Sequence, residues 1–395
     1  MVNFNYYTPT KVVFGKDTVD QVGRLVKDFG GKKVLIHYGG GSVKRSGLLD
    51  RVKASLEAAG IDSVELGGVV PNPRLSLVRE GIALCEKEGV DFLLPIGGGS
   101  TIDSAKAIGY GVYNGGDVWD FYDFKRKPAG CLPIGTVLTI AAAGSEMSDS
   151  SVITNEEGWI KRGCNSDYCR LKFAVMDPQL TMTLPDYQTA CGCADILMHT
   201  MERYFNDQQE PMALTDALAE GLMRTVMDAA KVLMGDPKDY TARANVMWAS
   251  SLSHNGLTGC GANGGDWACH RLEHELGGMF DVAHGAGLAA IWGTWARYVL
   301  PCNPARFARF GVQVLGVEPQ ENDAATALKG IEAMEDFYRA IRMPTNLREL
   351  GIETLTEEQV LELAKKCRAA TPNGCGAIKK LSESDMAEIY RKAMG

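Results

Sequence analysis

No run in this chain approaches the roughly 18 apolar residues of a membrane-spanning helix. Its start, MVNFNYYTPTKVVFG, lacks the basic segment and continuous apolar stretch of a secretion signal. Both absences lead us to expect a cytoplasmic protein with no membrane partner. Long basic runs are also missing, and 41 basic against 49 acidic side chains leave a formal net charge of -8. Nucleic acids and anionic surfaces are bound by clustered Lys and Arg. Their absence leaves small-molecule chemistry as the expected class. There is no low-complexity segment and no internal repeat of roughly 20–50 residues, so a solenoid is excluded. What remains is an ordinary globular composition, 45% hydrophobic and 23% charged, long enough at 395 residues for about two domains.

A disulfide framework is excluded by the same logic. Eleven cysteines, an odd count in a chain without an export signal, read as reduced thiols. Cys191 with Cys193 and Cys164 with Cys169 are spaced like metal ligands, but neither pair has a second pair at zinc-site spacing.

From residue 11 to about 180, short β-branched or apolar runs alternate with helical segments. KKVLIHY, IDSVELGGVV and VDFLLPI read as strands, each followed by an amphipathic segment, a succession that builds a mostly parallel sheet covered by helices. AGCLPIGTVLTI and LKFAVMD suit further strands, and SVITNEEGWIKRGC suits a hairpin. From about Pro185 nearly everything has helical period, and Thr356 with Gln359 and Ser382 with Asp385 carry capping-box spacing. The expected organisation is a Rossmann-like α/β nucleotide-binding domain over 1–182 and an all-helical metal-binding domain over 183–395.

Two turns share the sequence GGGS, Gly39-Gly40-Gly41-Ser42 after VLIHY and Gly97-Gly98-Gly99-Ser100 after FLLPI, each entering a helix. Glycines let backbone approach an anion, and the helix behind offers free amides. At the carboxyl ends of parallel strands, where open α/β sheets bind ligands, such turns point to a dinucleotide. Ser100 with Asp103 also has the spacing of an S-x-x-D cap, a purely structural reading of the second turn. The first turn carries no acid to hold the ribose hydroxyls and has Lys44 and Arg45 just beyond it, which favours NADP(H) over NAD(H).

Histidine is scarce, six in all, yet His270, His274 and His284 fall within fifteen residues in CHRLEHELGGMFDVAHG. A fourth, His199, stands four residues after Asp195. At i and i+4, Asp195 with His199 and His270 with His274 each share one helix face and can chelate one ion. A single helix would separate His270 from His284 by roughly 21 Å. The chain must therefore turn between them, and Gly277-Gly278 is the expected stop. One carboxylate and three imidazoles suit Fe(II) or Zn(II), but spacing leaves open whether His270 or His274 is the ligand.

With the tandem GGGS turns, STIDSAK, D-x-x-x-H and H-x-x-x-H-x9-H in order, the chain resembles the iron-dependent, or group III, alcohol dehydrogenase family. The likeness is greatest to its NADPH-linked butanol dehydrogenase and aldehyde reductase subgroup and runs from PTKVVFG through VVPNP, IGGGSTIDSAK and AAAGSEM to MPTNLRELGI. That resemblance implies an α/β plus all-α architecture shared with dehydroquinate synthase. It implies metal ligation by Asp195, His199, His270 and His284, with His274 beside the nicotinamide and substrate as the catalytic candidate. Cofactor contacts are implied for Gly39, Gly40, Gly41, Ser42, Asn72, Gly98, Gly99, Ser100, Asp103, Thr139, Ser145 and Lys161. Family members that prefer NAD often carry Asp where this sequence has Gly39, which again favours NADP(H). Aldehyde or alcohol substrates and a homodimer follow by the same analogy. Cys269, next to His270, would make such a site sensitive to oxidation. The rival readings are an NAD-linked diol or glycerol dehydrogenase, a dehydroquinate synthase-like lyase and, from another class, a metal- and nucleotide-binding protein without catalysis.

Overall fold

The computed structural model describes residues 1–208 and 211–395. The chain divides into two compact units, one of residues 7–184 and one of residues 1–6 with 185–395.

The first unit carries, in chain order, β1 (Lys11–Phe14), α1 (Val22–Asp28), β2 (Lys33–Tyr38), α2 (Ser42–Arg45), α3 (Leu48–Ala58), β3 (Asp62–Leu66), α4 (Leu75–Glu88), β4 (Phe92–Gly97), α5 (Gly99–Asn114), α6 (Trp119–Tyr122), β5 (Gly135–Leu138), β6 (Ser150–Asn155), β7 (Ile160–Asn165) and β8 (Phe173–Met176). Six strands form one sheet in the order β1-β8-β5-β4-β2-β3, with every neighbouring pair parallel. A parallel sheet is covered on both faces, so its strands are continuously apolar, and all six residues of β4 are buried. Ile36, Leu94, Val137 and Val175 pack against Val26 of α1 and Val52 and Leu56 of α3. β6 and β7 pair antiparallel as a separate hairpin. His37 bridges elements in this core. One ring nitrogen bonds the Leu66 carbonyl at 2.8 Å and the other the Ser104 hydroxyl at 2.9 Å, and burial lowers its pKa to about 4. It is a structural histidine.

The second unit is built from α7 (Asp186–Tyr204), α8 (Ala213–Gly235), α9 (Tyr240–His254), α10 (Ala268–Phe280), α11 (His284–Val299), α12 (Pro304–Leu315), α13 (Asp323–Ala340), α14 (Glu357–Ala370) and α15 (Glu383–Lys392). α11 is apolar around most of its circumference, with Leu288, Ile291, Trp292 and Trp295 at most 1% exposed, as suits a helix at the centre of a bundle. Both capping boxes expected at Thr356 and Ser382 are formed. No helix among the described residues is long and apolar enough to cross a membrane.

Two local expectations are corrected. α10 does not stop at Gly277-Gly278: both glycines are buried inside the helix, which runs on to Phe280. It ends instead where Asp281 adopts φ +51°, its N–H bonded to the Gly277 carbonyl. A left-handed residue ends a helix as glycine would, and Asp tolerates that conformation. Likewise Ser100 does not cap α5. The capping residue is Gly98, without a side-chain bond, because the helix starts too early for Ser100, and Asp103 is engaged elsewhere.

Candidate functional site

Three adjacent strands, β5, β4 and β2, end side by side, so the turns that follow them share the carboxyl edge of the sheet. Gly39–Ser42 follows β2, Gly98–Asp103 follows β4, and Thr139–Ser145 follows β5. The glycines at 39–41 and 97–99 are not required by positive φ, unlike Gly144 at φ +62°; they permit close approach. A β-carbon on Gly98 would lie 2.8 Å from Ile140 Cβ, and one on Gly99 the same distance from Ala143 Cβ, so the loop after β5 lies directly on the start of α5. Thr139 N–H bonds the Gly97 carbonyl at 3.0 Å. At Gly40 nothing lies within 4 Å of such a carbon, leaving that backbone open. α2, behind the first turn, is a single helical turn. Lys44 stands with its ammonium 5.2 Å from the centre of the Tyr38 ring.

Asp103 and Lys106, one turn apart on α5, brace the loop that carries Ser145. The Ser145 hydroxyl donates to Asp103 Oδ1 at 2.5 Å, and Val152 N–H donates to Oδ2 at 2.9 Å. Lys106, fully buried, donates to the carbonyls of Ser145, Ser148 and Ser150 at 2.7, 3.0 and 2.7 Å. Spacing in STIDSAK contained this i, i+3 pair, but nothing in the sequence said that the lysine points inward. Asn72, buried and at φ +54°, precedes Pro73, whose carbonyl accepts the Thr154 N–H at 2.7 Å. Thr154 in turn pairs with Lys161 across the hairpin. The structure thus gathers Asn72 and Lys161 by way of the hairpin and the remaining expected residues at the sheet edge.

In the helical unit the histidines converge. Asp195 and His199 lie one turn apart on α7, His270 sits in the first turn of α10, and His284 opens α11. From Asp195 Oδ1, His199 Nδ1 is 3.2 Å away, His270 Nε2 3.8 Å and His284 Nε2 3.7 Å. A tetrahedral ion with bonds of about 2.0–2.2 Å would space its ligand atoms about 3.3–3.6 Å apart. Asp195 Oδ1, His199 Nδ1 and His270 Nε2 are buried and make no hydrogen bond, a costly arrangement that a cation would satisfy. The donor set and the orphaned atoms fit a divalent metal. His274 is one turn further along α10, its ring 6.4 Å from that of His270 and 5.8 Å from that of His284. With Glu273 and His284 it forms an adjoining group of close ligand atoms.

Gly285 is what lets His284 arrive. A β-carbon there would lie 2.0 Å from the Cys191 carbonyl oxygen, so α11 begins in backbone contact with α7, one turn before Asp195. Electrostatics shapes these groups. Burial opposes the charge of Asp195, yet His199, His284 and His270 around it hold the carboxyl well below the usual range. Burial pushes His199 down, keeping it neutral and able to ligate. Burial also works against a proton on His270, but Asp195 and Glu202 outweigh it and raise its pKa.

Sequence reasoning passed over Glu202 and Glu273. Glu202 Oε1 accepts both the backbone N–H and the Nδ1–H of His270, at 2.9 and 3.0 Å, and Glu273 Oε2 bonds His284 Nδ1. Each stands three residues after a site histidine, a signal available in MHTMERY and CHRLEHE. His254 was also unassigned. Its ring packs 4.0 Å from that of His199, beside Arg203, which donates to the carbonyls of His199 and Ser253 at 2.8 and 3.1 Å. The eleven cysteines are free thiols, and none joins a group of potential metal ligands among the described residues.

Comparison with known proteins follows this division. A family model described as iron-containing alcohol dehydrogenase matches residues 9–178, and one described as the C-terminal part of the Fe-containing alcohol dehydrogenase family matches 189–394. The chain is 41% identical over 395 residues to the NADH-dependent butanol dehydrogenase A of Clostridium acetobutylicum, covering all of both chains. To the NADPH-dependent aldehyde reductase YqhD of Escherichia coli it is 33% identical, covering 89% of this chain and 90% of the relative. The crystal structure of NADH-dependent butanol dehydrogenase A from Thermotoga maritima superimposes with a TM-score of 0.95 at 40% identity, covering 100% of this chain and 99% of that one.

Proposed function

This chain belongs to the iron-containing alcohol dehydrogenase family, and on that premise we propose that it interconverts short- to medium-chain aldehydes and primary alcohols, with NADP(H) as the preferred hydride carrier. The observation that carries the reading is the convergence of one carboxylate oxygen and three imidazole nitrogens, three of them buried without hydrogen bonds. Asp195, His199, His270 and His284 would hold the ion, Fe(II) or Zn(II) by the chemistry of the donors. When bound, such an ion supplies Lewis-acid stabilisation of charge on a carbonyl oxygen. A nicotinamide supplies the hydride, and Gly39–Ser42, Asn72, Gly98–Ser100, Asp103, Thr139, Ser145 and Lys161 are the groups proposed to seat its dinucleotide.

His274 is proposed to hand a ring proton to the substrate oxygen as the alcohol forms, and to take it back in oxidation. It is 8% exposed and next to His284 in space. A His274→Ala variant should keep its metal while turnover slows; rates unchanged across pH would remove the residue from the reaction.

The preference for NADP(H) rests on Gly39, where no acid meets the ribose, with Lys44 and Arg45 following on α2. Named relatives use either carrier, so the turn itself is the test. Gly39→Asp should shift the ratio of kcat/KM values toward NADH by about 10–100-fold, the effect of setting a carboxylate against the 2'-phosphate. An unchanged ratio overturns the preference. The activity is tested by NADH and NADPH consumption with a panel of straight-chain aldehydes, and by oxidation of 1,3-diols and glycerol, with Fe(II) or Zn(II) added. Turnover restricted to diols would favour the diol-dehydrogenase reading, and none with any substrate would leave a binding protein. A cytoplasmic homodimer is proposed on family grounds, and light scattering checks the assembly.

A further inference from the structure

Behind the ligand atoms stand two carboxylates that no ligand pattern requires. Glu202 on α7 is 1% exposed and Glu273 on α10 is fully buried. We propose that Glu202 and Glu273 are positioning residues that set the affinity of the Asp195, His199, His270 and His284 centre for its divalent cation. The inference rests on the metal reading of that centre and extends it to residues outside the ligand set.

Glu202 uses a single oxygen, Oε1, twice: it accepts the backbone N–H of His270 at 2.9 Å and its Nδ1–H at 3.0 Å. That backbone amide lies in the first turn of α10, where helix donors have no partner within the helix. Trp267, the residue before the helix, provides no side-chain cap. One carboxylate therefore fixes the helix start and the imidazole on it, and the proton on Nδ1 leaves the lone pair on Nε2, which lies toward Asp195. Glu273 fixes the imidazole of His284 alone, accepting its Nδ1–H. The fit depends on Gly287, where a β-carbon would lie 2.8 Å from Glu273 Cγ. A carboxylate behind a ligand imidazole fixes its tautomer, stops it rotating and raises its basicity. With Asp195 these groups bring three carboxylates into one buried pocket, and a divalent cation offsets most of that charge.

Glu202→Gln and Glu273→Gln keep a carbonyl oxygen for the same bonds and remove the charge, whereas Glu202→Ala also removes the acceptor for α10. With the full chain and Co(II) alone as the probe, chelator competition should show affinity about 10–100-fold weaker in each Gln variant, the usual effect of losing such a carboxylate. Glu202→Ala should weaken it further. Circular dichroism and the melting temperature in excess chelator should stay near the parent's in both Gln variants, and NADPH binding followed by fluorescence should not change. The visible Co(II) spectrum should keep its shape, because the ligand atoms are the same. Affinities within about threefold of the parent in both Gln variants would overturn the proposal, being well short of the usual effect. A changed spectrum would overturn it too, by making the carboxylates ligands. A parent chain that takes up no Co(II) overturns both this and the metal reading. A parent that binds Co(II), with the expected weakening in the variants but no turnover of any aldehyde, supports this proposal and overturns only the catalytic one.

Discussion

The sheet edge of the α/β unit and the proposed metal pocket of the helical unit are prepared in opposite ways. At the edge the expected contacts come from backbone, the glycines at 39–41 and 98–99, and side chains serve as braces. Lys106 spends its ammonium on the carbonyls of Ser145, Ser148 and Ser150, and Asp103 holds Ser145 and Val152. In the pocket, side chains from α7, α10 and α11 converge, and the backbone's task is to bring the helices close, as Gly285 does against Cys191. Exposed amides recognise a phosphate by shape and partial charge. A small cation must have its formal charge and its ligand atoms placed within a fraction of an ångström. The edge should therefore tolerate side-chain changes that leave the loops in place, while the pocket should fail when any ligand or its approach is disturbed.

Asp195→Ala should have the largest effect. The ligand shared by all three imidazole distances disappears, so metal content and activity fall together, activity by about a thousandfold or more if several kcal/mol of charge stabilisation are lost. Metal analysis beside kinetics checks it, and an active, metal-free variant would break the comparison at its strongest point. Gly285→Val forces the start of α11 off α7. We expect a loss of about 1–3 kcal/mol, typical of overpacking, with reduced metal content and unaltered NADPH binding. Full metal occupancy would show that side chains alone assemble the pocket. Lys106→Met should cost about 1–3 kcal/mol through stranded carbonyls and raise the cofactor KM while metal content holds, read from denaturant melts and cofactor titration. Smallest is Ser382→Ala, which removes the α15 cap for about 1 kcal/mol. It should lower the melting temperature and leave metal content and cofactor KM alone, showing that stability loss by itself does not mimic the other variants.

The strands were legible because a parallel sheet writes itself as apolar runs: β2, β3, β5 and β8 lie within KKVLIHY, IDSVELGGVV, AGCLPIGTVLTI and LKFAVMD, and β4 runs one residue past VDFLLPI, to Gly97. The caps of α14 and α15 were legible because their bonds are local. The Ser100 cap and the Gly277-Gly278 stop were misread for one reason: both patterns are local, but where a helix ends is decided by what it packs against. Glu202 and Glu273 look like ordinary helix-surface acids until α7, α10 and α11 come together. Lys106 was hidden because an inward-pointing lysine in a sequence looks like any other.

What the sequence determined by itself was periodicity and pairing: which residues share a helix face, where glycine permits a close turn, that Asp195 with His199 and His270 with His274 could each chelate. These follow from 3.6 residues per turn and the absence of a side chain, properties of the chain alone. Only the tertiary structure decided that His270 Nε2 lies 3.8 Å from Asp195 Oδ1 while His274 stands aside, and that two glutamates back the histidines. Those facts depend on the approach and rotation of separate helices, which long-range packing sets and no local spacing contains.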